Sequence, residues 1–296
     1  MSVPNETSVA MVGLGSMGLG MAGTLATKGF SVTGFDLSPA RLEAAAALGV
    51  RPAADLAEAL PAARFIVFSL PTARDVAGVV EAHLPLIGSR AGGRVIVVDT
   101  STSEPGVSRD LAARLDAAGH GFLDAPVSGG PAGAAAGKLA MMIGGAEGDL
   151  ALARPVIEAL AAHILHVGPS GAGNVAKLVN NLLVAAHMIT TAEGLKLAAA
   201  AGVEPEAVLR VLNAASGKTF LSEVHFPTWI MSGRFDSGFS MGLMKKDVRL
   251  AEALARESGV ELPLTAEAAR LWEESAGALA DTDDFTRMGA FKPAGR

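Results

Sequence analysis

Along the first 170 or so residues, short apolar runs alternate with stretches of helical period. Val9-Ala10-Met11-Val12 is such a run, and it ends in Gly13-Leu14-Gly15-Ser16-Met17-Gly18. Residues 19–28 have helical character and stop at Gly29. Residues 31–35 then read as a strand ending at Asp36. Short helices over 41–48 and 56–60 follow, then a strand over 65–70 closed by Pro71. The pattern repeats as a helix over 72–83, a strand over 95–99, a helix over 107–118 and a short strand over 121–124. Strands that are apolar throughout are buried on both faces, and their alternation with helices predicts a doubly wound, mostly parallel α/β sheet. Residues 139–145 and 164–167 read as two further strands.

Strand signals stop near residue 170. Residues 171–202 contain no proline and predict one helix of about eight turns. On it Asn174, Lys177 and Asn181 sit at i, i+3 and i+7 and share a face. Residues 205–215, 219–231, 241–258 and 264–280 also suit helices. The predicted organisation is therefore an α/β domain over 1–170 and an all-helical domain over 171–296, with the long helix 171–202 joining them.

Composition narrows the class. Hydrophobic residues make up 50% of the 296 and charged ones 18%, enough for a large core and unlike a disordered chain. The net charge is −6 and no basic run occurs, so a nucleic-acid partner is not expected. With no cysteine, disulfides, thiolate metal sites and cysteine catalysis are excluded. The six histidines lack metal-ligand spacing, so no metal is expected. The N-terminus has neither the basic region nor the apolar core of a signal peptide. Residues 175–201 reach membrane-spanning length but include Lys177, Asn180, Asn181, His187, Glu193 and Lys196. They read as the buried helix of a soluble protein, with no membrane partner and a cytoplasmic location.

Three stretches carry candidate chemistry. Gly13, Gly15 and Gly18 form G-x-G-x-x-G between a strand and a helix: one glycine for the turn, one for close approach to a pyrophosphate, one for helix packing. Leu14, Ser16 and Met17 complete that loop. Asp36 ends the next strand, where a carboxylate accepts the ribose hydroxyls and repels a 2′-phosphate, so NAD is the expected cofactor and NADP the alternative. Leu70, Pro71 and Thr102 fall at carboxyl ends of predicted strands and Asp75 in the helix that follows Pro71, all on the edge beside the dinucleotide. Ser128-Gly129-Gly130, flanked by Pro126 and Pro131, reads as a shaped loop whose amides and hydroxyl can hold a carboxylate. Spacing alone leaves Lys177 open between a snorkelling surface lysine and a catalyst. Lys245-Lys246-Asp247 reads as a solvated charge run, with Lys245 at the surface.

Four ordered motifs now decide more than any does alone: Gly13 to Gly18, Asp124-Ala125-Pro126-Val127-Ser128-Gly129-Gly130, Gly171-Ala172-Gly173 with Lys177 and Asn180-Asn181, and Lys246-Asp247. Together they resemble the β-hydroxyacid dehydrogenase family, over nearly the whole chain. The resemblance implies a Rossmann domain, a nicotinamide cofactor and a helical domain that assembles dimers or tetramers. It implies that Lys177 is the catalytic residue and that Ser128, Gly129, Gly130 and Asn181 contact the substrate carboxylate and nearby groups. It puts Leu70, Pro71, Thr102 and Lys246 on the cofactor, with Asp247 positioning Lys246. The related phosphogluconate enzymes carry a Glu two turns after the lysine; here Val184 stands there, and Asn180-Asn181 replaces His-Asn, which disfavours oxidative decarboxylation. Imine reductases of related fold usually lack the lysine. The expected substrate is a small 3-hydroxy acid similar to 3-hydroxyisobutyrate. The alternatives are reduction of a small semialdehyde acid (tartronate, glyoxylic or succinic) and a non-catalytic dinucleotide-binding protein.

Overall fold

The computed structural model describes residues 7–290. In chain order its first elements are β1 (Ser8–Val12), α1 (Ser16–Thr27), β2 (Ser31–Phe35), α2 (Pro39–Ala46), β3 (Arg51–Pro52), α3 (Leu56–Ala59), β4 (Phe65–Phe68) and α4 (Ala73–His83). Then follow β5 (Ile96–Asp99), α5 (Pro105–Ala117), β6 (Gly121–Asp124), β7 (Val127–Ser128), α6 (Gly130–Ala136), β8 (Leu139–Gly144), α7 (Glu147–Leu160) and β9 (Ala161–Gly168). The rest is helical: α8 (Ala172–Ala200), α9 (Pro205–Ala214), a π-helix over Leu221–Ile230, α10 (Met241–Glu257) and α11 (Pro263–Glu274). The chain divides into two compact units between Lys177 and Leu178, so α8 begins in one and continues into the other.

In the first unit the strands form one sheet in the order β3-β2-β1-β4-β5-β6-β8-β7, with β9 on β8. The stretch β3-β2-β1-β4-β5-β6 is parallel, and β6 and β7 meet β8 antiparallel. The reason is visible in adjacent residues. Val9, Met11, Phe65, Val67, Ile96 and Val98 bury into one core, while Ala10, Val12, Ile66, Phe68, Val95 and Val97 bury into the core on the opposite face. Each strand is thus apolar on both sides and needs a helical layer on each. The parallel register places the ends of β1, β4, β5 and β6 on one edge, where Gly13, Ser69, Thr100 and Ala125 begin the connecting loops.

The second unit packs its helices on Trp272, which is fully buried and donates Nε1–H to the Ala185 carbonyl at 3.2 Å. Met188, Phe226, Met241, Met244, Val248 and Phe285 surround the same core. Three local expectations need correction. Lys245 is not a surface residue: it is 3% exposed, and its ammonium reaches Asp281 Oδ1 at 2.8 Å. The cause is helical spacing, because Met241, Met244, Lys245 and Val248 form one buried stripe. The stretch after Ser128 is not all loop, since residues from Gly130 onward wind into α6. Nor is α8 buried all round. Val179, Leu183 and Leu197 are exposed at 50%, 51% and 72% on an otherwise apolar helix.

His225 sits edge-on among Phe220, Trp229 and Phe285, with ring centroids 5.2, 4.8 and 5.4 Å away. Burial holds its imidazole below the ordinary value of 6.5, against the opposing pull of the Phe220 carbonyl and Asp284. A lowered folded-state value means the unfolded chain binds the proton first as pH falls. Stability should therefore be full above about pH 6.5 and decline below it, by up to about 1.4 kcal/mol per pH unit for this residue. Urea unfolding at pH 7.5 and 5.5 should show the loss, and His225→Phe should reduce it. An unchanged slope in the variant would assign the loss to other groups.

Candidate active site

The glycine loop can be tested by asking what a side chain would meet. Gly13 has φ +91°, and a Cβ there would lie 2.3 Å from the Ser69 carbonyl oxygen. A Cβ on Gly18 would lie 2.0 Å from the Gly13 carbonyl oxygen, so the loop and the first turn of α1 close on each other. At Gly15 the same Cβ meets nothing within 4 Å. Gly13 and Gly18 are thus glycines for packing, and Gly15 is one that leaves space beside the backbone. Gly15 caps α1 without any side-chain acceptor, and no acid lies in the first turn. The amides there are free to face an anion. These residues fit a dinucleotide pyrophosphate. Gly13→Ala should cost roughly 2–5 kcal/mol, from left-handed strain plus overpacking; a melting temperature within a degree of the parent would contradict the geometry.

Asp36 follows β2 and is half-buried. Its Oδ2 accepts the Leu14 N–H at 2.7 Å and its Oδ1 accepts the Ser38 N–H at 2.9 Å. Each carboxylate oxygen keeps a second lone pair for a ribose hydroxyl. Leu37, next to it, is 91% exposed and carries no charge.

Further along the same sheet edge, Leu70 donates its N–H to Ser101 Oγ at 3.1 Å, tying the loop after β4 to the one after β5 that carries Thr102. Pro71 is exposed and Thr102 half-buried. Asp75 has local work: with Thr72 it forms a capping box, its Oδ2 accepting the Thr72 N–H at 3.0 Å and hydroxyl at 2.6 Å. That role accounts for the residue without any cofactor. Ser128 ends β7 and pairs with Ala140 of β8. Gly129 and Gly130 then take φ of +123° and +64°, which β-branched or bulky residues rarely adopt.

Lys177 lies in the second turn of α8 and is 7% exposed. That removes the surface-snorkeller reading. On the preceding turn Asn174 is fully buried, and Asn181, one turn later, is 4% exposed. Within the second unit Asn181 Nδ2 donates to Asp247 Oδ2 at 2.5 Å, and Asn180 Nδ2 donates to Asn181 Oδ1 at 3.0 Å. Lys246 Nζ stands 3.3 Å from Asp247 Oδ1. Asp247 therefore engages both Lys246 and Asn181, where only the first link was expected. In the first unit, two buried residues tied to the start of α8 were not singled out as site candidates, Asp124 and Asn174. Asp124 lay inside a quoted motif, and Asn174 on the face of Lys177.

Comparison with known proteins places the chain in a family. The family model described as the NAD binding domain of 6-phosphogluconate dehydrogenase matches residues 8–168. The one described as NAD-binding of NADP-dependent 3-hydroxyisobutyrate dehydrogenase matches residues 171–291. A 2-(hydroxymethyl)glutarate dehydrogenase of Eubacterium barkeri is 36% identical over 90% of this chain and 88% of its own length. An NAD-dependent L-serine dehydrogenase of Pseudomonas aeruginosa is 37% identical over 86% and 88%. A solved structure of Mycobacterium tuberculosis 3-hydroxyisobutyrate dehydrogenase with L-serine superposes with a TM-score of 0.87 at 35% identity, covering 96% of this chain and 98% of that one.

Proposed function

The chain belongs to the β-hydroxyacid dehydrogenase family, and from that premise we propose that it oxidises the hydroxyl of a small 3-hydroxy acid, similar to 3-hydroxyisobutyrate, with Lys177 as general acid/base. Membership makes it an oxidoreductase acting on hydroxyl groups, with NAD(P)-binding domains. The observation that carries the finer reading is a lysine nine-tenths buried on the helix that also bears Asn181. Burying an ammonium is costly, and here it lies one turn from each of two buried amides, Asn174 and Asn181, a polar helix face that suits a proton-transfer group.

When bound, the nicotinamide supplies the acceptor for the hydride that leaves the hydroxyl-bearing carbon. The chain's own groups do the rest. Lys177 Nζ takes the hydroxyl proton as the carbonyl forms, and returns it in the reverse direction. Ser128 Oγ and the Gly129 and Gly130 amides hold the substrate carboxylate. Asn181 orients the substrate hydroxyl or carboxylate, with its own amide fixed by Asp247 and Asn180. Asp36 favours NAD over NADP by accepting ribose hydroxyls where a 2′-phosphate would be repelled. Leu70, Pro71, Thr102 and Lys246 complete the cofactor site.

The exposed Val179, Leu183 and Leu197 support assembly as a homodimer or homotetramer, a second copy covering an apolar face that one chain leaves open. Charge pattern and composition favour a cytoplasmic protein without membrane or nucleic-acid partners. Reduction of a semialdehyde acid is the same chemistry run backwards and remains the second reading, since the relatives' substrates differ among themselves. The test is NADH formation over a panel of short 3-hydroxy acids: 3-hydroxyisobutyrate, 3-hydroxypropionate, serine, glycerate and threonate, each with NAD and NADP. Turnover of at least one with NAD supports the reading. Turnover only of the semialdehydes with reduced cofactor replaces it with the second.

A further inference from the structure

The long helix α8 starts without a local cap. Where many helices place Ser, Thr, Asp or Asn, this one has Gly171, at φ +92°, with Pro105 O only 2.8 Å from where a Cβ would stand. The cap comes instead from Asp124, at the end of β6. Its Oδ1 accepts the Gly171 N–H at 2.7 Å and its Oδ2 the Asn174 N–H at 2.9 Å. Asp124 is fully buried, and burial pushes its carboxyl up while the helix amides pull it back down. A local side chain would cap the helix as well for stability. A cap from another element adds something else, a fixed position of the helix relative to that strand.

Asn174 makes the second tie. It is fully buried, where an apolar residue would serve packing, and it uses both ends of its amide. Oδ1 accepts the Ser103 N–H at 2.9 Å, and Nδ2 donates to Ser108 Oγ at 3.0 Å. Ser103 adjoins Thr102, and Ser108 lies in α5. The seat between these ties has no slack. A Cβ on Gly173 would lie 2.4 Å from Met142 O and 2.5 Å from Asp124 O.

We propose that Asp124 and Asn174 are positioning residues for the reaction: through the first turn of α8 they set Lys177 relative to the Thr102 loop and the Ser128-Gly129-Gly130 loop. All the residues concerned lie in the first compact unit. Asp124 stands four residues before Ser128 on the segment that enters that loop, and Asn174 stands three residues before Lys177 on one helix face. Neither touches the reacting atoms; both act through the lysine. A displacement of about 1 Å at a proton-transfer group costs on the order of 10²-fold in rate, so such ties affect turnover beyond stability. The proposal rests on the reading of Lys177 as general acid/base.

The test compares Asn174→Ala with the parent chain, using whichever hydroxy acid the panel identifies. The expected result is a 10- to 100-fold fall in kcat and a larger primary deuterium isotope effect, with NADH affinity within threefold of the parent by fluorescence titration. Asp124→Asn should behave likewise, since an amide cannot accept from both helix N–H groups. A second readout needs no turnover: acetylation of Lys177 by acetic anhydride, followed by mass spectrometry against exposed Lys138. Lys177 labelling should rise at least threefold in Asn174→Ala. A folded variant with kcat within twofold and unchanged labelling overturns the proposal. Should Asn174→Ala not fold, Ser108→Ala decides, because it removes only the Nδ2 partner; it should lower kcat about threefold, and no change overturns the idea. If the parent chain turns over no hydroxy acid, the functional reading fails, and the labelling ratio alone decides whether Asn174 positions Lys177.

Discussion

Lys177→Ala should lower kcat for hydroxy acid oxidation by about 10²–10⁴-fold, the range for loss of a general acid/base, or about 3–5 kcal/mol of barrier. NADH affinity should stay near that of the parent chain, because the glycine loop and Asp36 belong to separate elements. Lys177→Met keeps most of the buried stem and removes only the amine. It should fold as well as the parent and be as inactive as the alanine variant. Lys177→Arg should not rescue, since a guanidinium stays protonated and cannot accept the hydroxyl proton. Stopped-flow absorbance of NADH with each variant separates these cases. Turnover within tenfold of the parent in Lys177→Met would remove the lysine from the mechanism.

Changing Asp36 should switch cofactor selectivity. In Asp36→Asn the repulsion of a 2′-phosphate disappears, while one oxygen remains to brace the Leu14 amide now held at 2.7 Å. Adding Leu37→Arg puts a guanidinium at a position that is 91% exposed. Juxtaposed like charges cost several kcal/mol, so removing one and supplying an opposite charge should move the NAD to NADP ratio of kcat/KM by more than about 10²-fold. The parent chain should prefer NAD. A parent that already prefers NADP by tenfold would show that Asp36 does not set the cofactor.

What the sequence disclosed was set by local patterns with a single physical solution. Runs such as Phe65-Ile66-Val67-Phe68 admit only a strand buried on both faces, and the glycines at 13, 15 and 18 admit few uses between a strand and a helix. Interactions that depend on distant partners stayed hidden. Lys245 looked solvated inside a charged triplet, and only the position of Asp281 explains its burial. Asp75 is a different case: its partner Thr72 is only three residues away, and the capping box they form was a local pattern left unread. The small residues after Gly130 suggested a loop, but Ala132, Ala134, Ala135 and Ala136 are good helix formers once Gly129 has turned the chain. Around Lys177 the spacing of Asn174 and Asn181 was legible. The strand-borne cap at Asp124, 47 residues before Gly171, was not.

The most direct test of the central claim follows the hydrogen itself. A 3-hydroxy acid deuterated at the hydroxyl-bearing carbon is incubated with the enzyme and NAD, and the reduced cofactor is analysed by mass spectrometry. Direct hydride transfer, with only the hydroxyl proton passing through Lys177, predicts one deuterium in each reduced cofactor and none lost to water. Reduced cofactor without deuterium, or none formed from any 3-hydroxy acid, would contradict it.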